Sequence, residues 1–288
     1  MNAFGLGFGE HFCLTLLTDR PRLAAEADEA GVDRIGVDLE RLGKAERQAG
    51  YETRLSTHDW TDLARVGGAI ARAELFVRLN PLHASTASEV DRAIDLGAEV
   101  LMLPYFNGAE EVGAFVGLVR RRARVVVLVE TAPAITRIRD IVAVPGVDEV
   151  MFGLNDLRLQ LGVANHFEVL ASPLLDAAAA EVRRCGLRLA MGGVGRVDGP
   201  PLPVPADLVC AQYPRLGATG AWIARSFLES SPGAASFGDS IRALRQRLSE
   251  WAMATPAALE KAREDLALAA RRWKQDTINR RADRIDMP

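Results

Sequence analysis

Short apolar runs alternate with amphipathic stretches along most of the chain. The runs are rich in β-branched residues and bounded by turn-forming residues, which marks them as strands buried on both faces. They fall at residues 12–17, 34–39, 75–79, 100–103, 124–129, 149–152, 187–191 and 206–211. Between them the apolar spacing predicts helices over residues 21–30, from Thr86, over 109–121 and from about Ala134. Thr86 with Glu89 three residues on reads as a capping box, ahead of an apolar stripe through Val90, Ala93 and Ile94. Eight strands with intervening helices over about 230 residues predict a (β/α)8 TIM barrel, a fold of about 250 residues. The competing architecture is a doubly wound open sheet. It would place a glycine fingerprint after the first strand, where Leu17-Thr18-Asp19-Arg20-Pro21 has none.

From Ser236 the period changes. Ile241, Leu244, Leu248 and Trp251, then Leu259, Ala262, Leu266 and Trp273, recur at helical spacing, and Pro256 divides two helices. The expected organisation is a barrel over residues 1–230 and a helical extension over 231–288. The extension must cover its apolar face on its own barrel or on a neighbouring subunit, and homo-oligomerisation is the expectation. The Gly- and Pro-rich stretch 195–205 reads as a loop or lid, and the charged residues 279–288 are expected to fray.

A chain of 288 residues, 49% hydrophobic and 25% charged, suits one large domain with an extension. Net charge is −3 and the basic residues are dispersed among acids, so no concentrated footprint for nucleic acid exists. Met1-Asn2-Ala3-Phe4-Gly5 lacks a secretion-type basic and apolar pattern, and no later segment is apolar enough to span a bilayer. A cytoplasmic protein without membrane partners is expected. Cys13, Cys185 and Cys210 are odd in number and widely spaced, so they read as reduced thiols.

Strand C-termini face the active site of such a barrel. Two apolar runs lead there into acids, Val125 to Val129 into Glu130, and Val150 to Phe152 into Asn155-Asp156. Two acids so placed can hold a hard divalent cation. Read structurally instead, they are helix N-terminal acids favoured by the dipole. The other strand ends add Asp38-Leu39-Glu40-Arg41, Arg78-Leu79-Asn80-Pro81, Pro104-Tyr105 and Gly192-Gly193-Val194-Gly195-Arg196.

The blocks Ala30 to Glu40, Val77-Arg78-Leu79-Asn80-Pro81, Val100 to Pro104, Leu128-Val129-Glu130-Thr131-Ala132 and Gly153-Leu154-Asn155-Asp156-Leu157 resemble, in order and spacing, the HpcH/HpaI aldolase and citrate lyase β-subunit superfamily. The resemblance implies a metal-dependent carbon–carbon lyase, or its synthetic reverse, acting through the enolate of a 2-oxo acid such as pyruvate or oxaloacetate, with an aldehyde or acyl partner. It implies Glu130 and Asp156 as ligands of Mg²⁺ or Mn²⁺, Arg78 on the keto or enolate oxygen, and Asp38 and Glu40 as a second carboxylate cluster that orients Arg78 or a water. A guanidinium there supplies a fixed fork that lysine cannot; the structural alternative for Arg78 is an ion pair with one of these acids.

Backbone amides around Asn155, Asp156 and Leu157 suit a substrate carboxylate. Gly193 and Arg196 read either as an anion cradle or as a turn; Arg215, in the block taken to follow strand eight, is a further rim candidate. Two departures stand out. Arg41 replaces the histidine that the aldolase branch carries after the matching glutamate, and Tyr105 stands where many relatives have lysine. His58 matches a recurring family stretch, with a solvent-facing histidine as the alternative; His11, His83 and His166 read as ordinary. The runner-up function is an acyl-CoA lyase or citrate-synthase-like condensing enzyme, for which only Arg120-Arg121-Arg122 offers a basic cluster. A third reading is an inactive barrel serving assembly or regulation.

Overall fold

The computed structural model describes residues 7–44, 57–228 and 235–285, with side chains to Trp273. The N-terminal stretch Met1 to Gly5, read above for its lack of an export pattern, lies outside the described residues, as do Leu55 and Ser56 beside His58. Eight parallel strands close into a barrel in sequence order, with β8 pairing β1. They are β1 Cys13–Leu17, β2 Arg34–Asp38, β3 Glu74–Arg78, β4 Val100–Leu103, β5 Arg124–Val129, β6 Glu149–Phe152, β7 Arg188–Val194 and β8 Gly220–Ile223.

Alternation along each strand sorts its residues between two cores. Val125, Val127 and Val129 face outward into the layer shared with the helices, while Val126 and Leu128 join Phe76, Val100, Met102, Met151 and Ala190 inside the barrel. Both faces are dry, so the runs are apolar throughout. Inward parity carried past the C-terminal ends reaches Asp38, Glu40, Arg78 and Glu130. Carried back to the N-terminal ends, it reaches Arg34, Glu74, Arg124, Glu149 and Arg188.

Seven of the eight expected strands are present, and the eighth requires correction. Residues 206–211 begin the helix Ala206–Leu216, in which Ala206, Val209, Cys210 and Tyr213 are all buried at helical spacing. The run was long enough to be a helix once Gln212 to Leu216 are counted, and length separates the two readings of an apolar stretch. Gly217, at φ 72°, caps that helix and turns the chain into the short strand Gly220–Ile223. Arg215 therefore sits at a helix C-terminus, toward the N-terminal face of the barrel. There it binds Asp176 Oδ1 at 2.7 Å and Gln212 Oε1 at 2.6 Å.

The capping box at Thr86 does not form. Ser85 is the N-cap, Thr86 Oγ1 accepts from the His83 amide, and Glu89 is drawn away to the side-chain amide of Asn80 at 2.8 Å. The helix expected to reach residue 121 ends at Val119, because Arg120 and Arg121 take left-handed backbone angles that turn the chain into β5.

The C-terminal helices Phe237–Ala252 and Pro256–Ile285 bury their apolar stripe on the chain's own barrel. Leu259 and Ala262 pack on Ala211, and Asp207 accepts from both Arg247 and the Trp251 indole. The second helix continues to Ile285, through most of the stretch expected to fray. Among the described residues no helix is long and apolar enough to cross a membrane.

Candidate active site

The inward-facing residues at the C-terminal ends of β2, β3 and β5 meet in one charged cluster. Asp38 and Arg78 are register partners on β2 and β3 and form a two-pronged pair, Nε to Oδ1 at 2.8 Å and Nη2 to Oδ2 at 2.7 Å. Arg78 Nη1 also lies 3.5 Å from Glu40 Oε2, and its guanidinium stacks 4.9 Å from the centre of the Trp222 ring. Lys44 closes the cluster, with Nζ 2.9 Å from Asp38 Oδ2 and 3.0 Å from Glu40 Oε2. All four charged side chains are buried. Burial opposes ionisation, yet the Arg78 guanidinium and then Lys44 hold the Asp38 carboxyl well below the usual carboxylate range. Asp38 and Glu40 in turn keep Arg78 firmly protonated.

Glu130 extends the β5 alternation one step past Val129 and is 2% exposed. Its carboxyl is pushed well above the usual range by burial, and further by the neighbouring acids Glu40 and Asp156, against the pull of Arg78 and Lys44. One oxygen accepts from the Tyr105 amide at 3.0 Å. Tyr105 reaches that position with a left-handed backbone, φ 47°, and its hydroxyl accepts from Gln160 at 3.2 Å. Asp156 lies in the first turn of the helix Leu154–Gln160, half-buried beside Glu130. Asn155 is exposed at the same turn, whereas the Leu157 amide already donates to the Gly153 carbonyl.

The remaining candidates are placed elsewhere. Arg196 is buried, with Nε on the Phe227 carbonyl at 2.9 Å and Nη1 on the Ala235 carbonyl at 3.2 Å, so it ties together the segments after β7 and β8. Gly193, at φ 58°, marks the irregular end of β7. Arg41 points away from the acids and donates to the carbonyls of Thr57 and His58. His58 touches the site through its ring, Nδ1 accepting from the Asp38 backbone amide at 3.0 Å.

Lys44 and Trp222 belong to the cluster and were not singled out from sequence. Lys44 stands four residues after Glu40, a spacing that pairs charges on one helical turn. Trp222 was hidden by the misplaced eighth strand.

The segment 12–187 matches the family model described as HpcH/HpaI aldolase/citrate lyase. The chain belongs to that family. Solved structures agree on the barrel. An HpcH/HpaI aldolase/citrate lyase family protein from Burkholderia cenocepacia J2315 is 21% identical, with 85% of this chain and 96% of that chain covered and a TM-score of 0.57. The HpcH/HpaI aldolase from Desulfitobacterium hafniense DCB-2 is 19% identical over 79% and 96%, with a TM-score of 0.55. The citrate synthase SbnG is 16% identical over 78% and 93%, at 0.57. No curated protein matches the chain.

Proposed function

We propose that the protein is a divalent-metal-dependent carbon–carbon lyase or aldolase acting through the enolate of a 2-oxo acid of the pyruvate or oxaloacetate class. The observation that carries this reading is the buried Glu130 carboxyl, forced against Asp156 and Glu40 with Arg78 fixed beside it. Crowded acids in a dry pocket favour a cation, and carboxylate oxygens are hard ligands suited to Mg²⁺ or Mn²⁺. Glu130 and Asp156 would hold the ion. Among the described residues no group of three acids, histidines or cysteines gathers tightly enough to hold a metal. A two-carboxylate set fits an ion that keeps positions for water and substrate. When bound, such an ion polarises a carbonyl and stabilises negative charge on its oxygen.

The chain's own groups supply the rest. Arg78 is held in one orientation by Asp38 on its Nε and Nη2 and by Trp222 against its face, and its other N–H groups would serve an oxygen that gains charge during reaction. Amides of Asn155 and Asp156 suit the substrate carboxylate. Glu130→Gln and Asp156→Asn should each lower Mn²⁺ affinity and slow metal-dependent release or consumption of pyruvate by at least about 10–100-fold, the cost of disturbing even a supporting group. Unchanged affinity and turnover in both variants would reject the reading and favour an inactive barrel.

Arg41 supports a second reading. A guanidinium bound to two backbone carbonyls cannot accept a proton, so the acid–base role of the aldolase-branch histidine is vacant at this position. A citrate-synthase-like condensing enzyme or acyl-CoA lyase is the alternative. Turnover of oxaloacetate only with an acyl-CoA co-substrate would select it.

A further inference from the structure

The opposite, N-terminal mouth of the barrel holds a second charged cluster that the proposed chemistry does not use. Inward parity places Arg34, Glu74, Arg124, Glu149 and Arg188 at the first positions of their strands, and Glu74, Arg124 and Arg188 line a polar cavity of about 390 Å³ there. The guanidinium of Arg34 is 2% exposed and pairs with Glu74 at 3.2 Å and Glu149 at 2.8 Å. Glu74 also pairs with Arg124. The nearest carboxylate oxygen to Arg188 belongs to Glu149, at 3.9 Å and already bonded to Arg34.

The other acids lining the cavity are committed. Asp28 accepts from the amides of Ala71, Arg72 and Ala73, and Asp33 accepts from the Leu14 amide and from Arg245. The charged residues that line the cavity are Arg72, Arg124 and Arg188 with Asp28, Asp33 and Glu74, and Arg72 lies against Asp28 at 3.8 Å. Arg124 and Arg188 share their carboxylate partners, Glu74 and Glu149, with the buried Arg34. Both side chains are nearly half exposed and both line the cavity. Their mutual proximity is felt electrostatically. After burial, the charges of Arg34 and then Arg188 make Arg124 easier to deprotonate than an ordinary arginine.

We propose that this mouth is a binding site for a small oxyanion, a phosphate or a polycarboxylate, held between Arg124 and Arg188. Planar guanidinium forks match such oxygens two at a time. The layer of Phe76, Met102, Leu128 and Met151 fills the barrel between this mouth and Glu130, so the site is separate from the one at the C-terminal face and does not depend on the proposed reaction.

Isothermal titration of the full-length protein with inorganic phosphate and with citrate, in chloride buffer of constant ionic strength, tests the proposal. Saturable binding of one anion per chain is expected, with Kd at or below about 1 mM. Arg188→Gln, at a half-exposed position whose loss the fold tolerates, should weaken it about tenfold or more, and Glu130→Gln should leave it unchanged. Arg188→Lys should retain only part of the affinity, since it keeps the charge and loses the fork. Preference between phosphate and citrate identifies which oxyanion the mouth fits. No saturation with either anion by about 10 mM, equal binding by the Arg188→Gln variant, or loss of binding in Glu130→Gln alone would each overturn the assignment.

Discussion

Gly153 lies where β6 turns into the helix carrying Asp156, and it is packed directly on the proposed metal ligand. A Cβ at this position would come within 2.7 Å of both Cβ and Oε2 of Glu130 and 3.3 Å of a Leu128 methyl. The backbone there is ordinary, at φ −87°, so the restriction is one of space alone. Gly153→Ala should displace the Glu130 carboxylate, weaken Mn²⁺ binding about tenfold and cost about 1–3 kcal/mol of stability through overpacking. Metal titration and denaturant unfolding check the two effects, and unchanged metal affinity would mean that Glu130 is not positioned by this contact. The acids and Arg78 were legible because a strand with both faces buried announces itself as an apolar run, and a charge at its end has few places to go. Lys44 was not, since it follows the turn after β2, where no apolar run marks a lysine as buried. The same parity that made Glu130 readable also carried Arg124 and Arg188 to the opposite mouth.

The hardest elements to read were those whose local pattern contradicts their packing. The Ala206–Leu216 helix is buried nearly all round, covered on one side by the barrel and on the other by the C-terminal helices, so it loses the polar stripe that distinguishes a helix. The strand β8 is four residues beginning with glycine and offers almost no signal. Docking of the last helix makes its own prediction. His166 opens the short helix His166–Leu170 and packs against Phe167 and Trp273. Burial, and then the charge of Arg158, lower its pKa to about 4 from 6.5. The unfolded chain therefore binds the proton first. The stability of the neutral ring is fully present above pH 6.5 and lost as pH falls toward 4, a change of about 2–3 kcal/mol. Thermal melts between pH 4 and 7 should show this acid limb in the native protein and lose it in His166→Phe. An identical pH dependence in the variant would place the titrating group elsewhere.

For the molecule as a whole, the question is whether the C-terminal helices are an appendage or part of the closure of the barrel. Arg245, in the helix Phe237–Ala252, points to closure. One nitrogen donates to the carbonyls of Gly9 and Phe12 at 2.7 and 2.9 Å, and the other donates to the Gly31 carbonyl and to Asp33 at 2.7 and 2.9 Å. Asp33 also accepts from the amide of Leu14, within β1, the strand that β8 must find to complete the ring. The guanidinium is thus a buried clasp between residues more than 200 positions apart, joining the start of the barrel to an element that follows its end. Replacing it with methionine leaves an apolar stem of similar length but strands these three carbonyls and one carboxylate. Leaving such acceptors without their donor typically costs about 1–3 kcal/mol. If the clasp is integral, Arg245→Met should shift a single cooperative denaturant transition to lower concentration with its slope preserved, since the same surface is exposed on unfolding. If residues 231–288 are instead a separable unit, the main transition should stay where it is and a second, earlier one should appear. Urea unfolding followed by both far-ultraviolet circular dichroism and tryptophan fluorescence distinguishes the two, because Trp251 and Trp273 report on the tail while Trp60 and Trp222 report on the barrel.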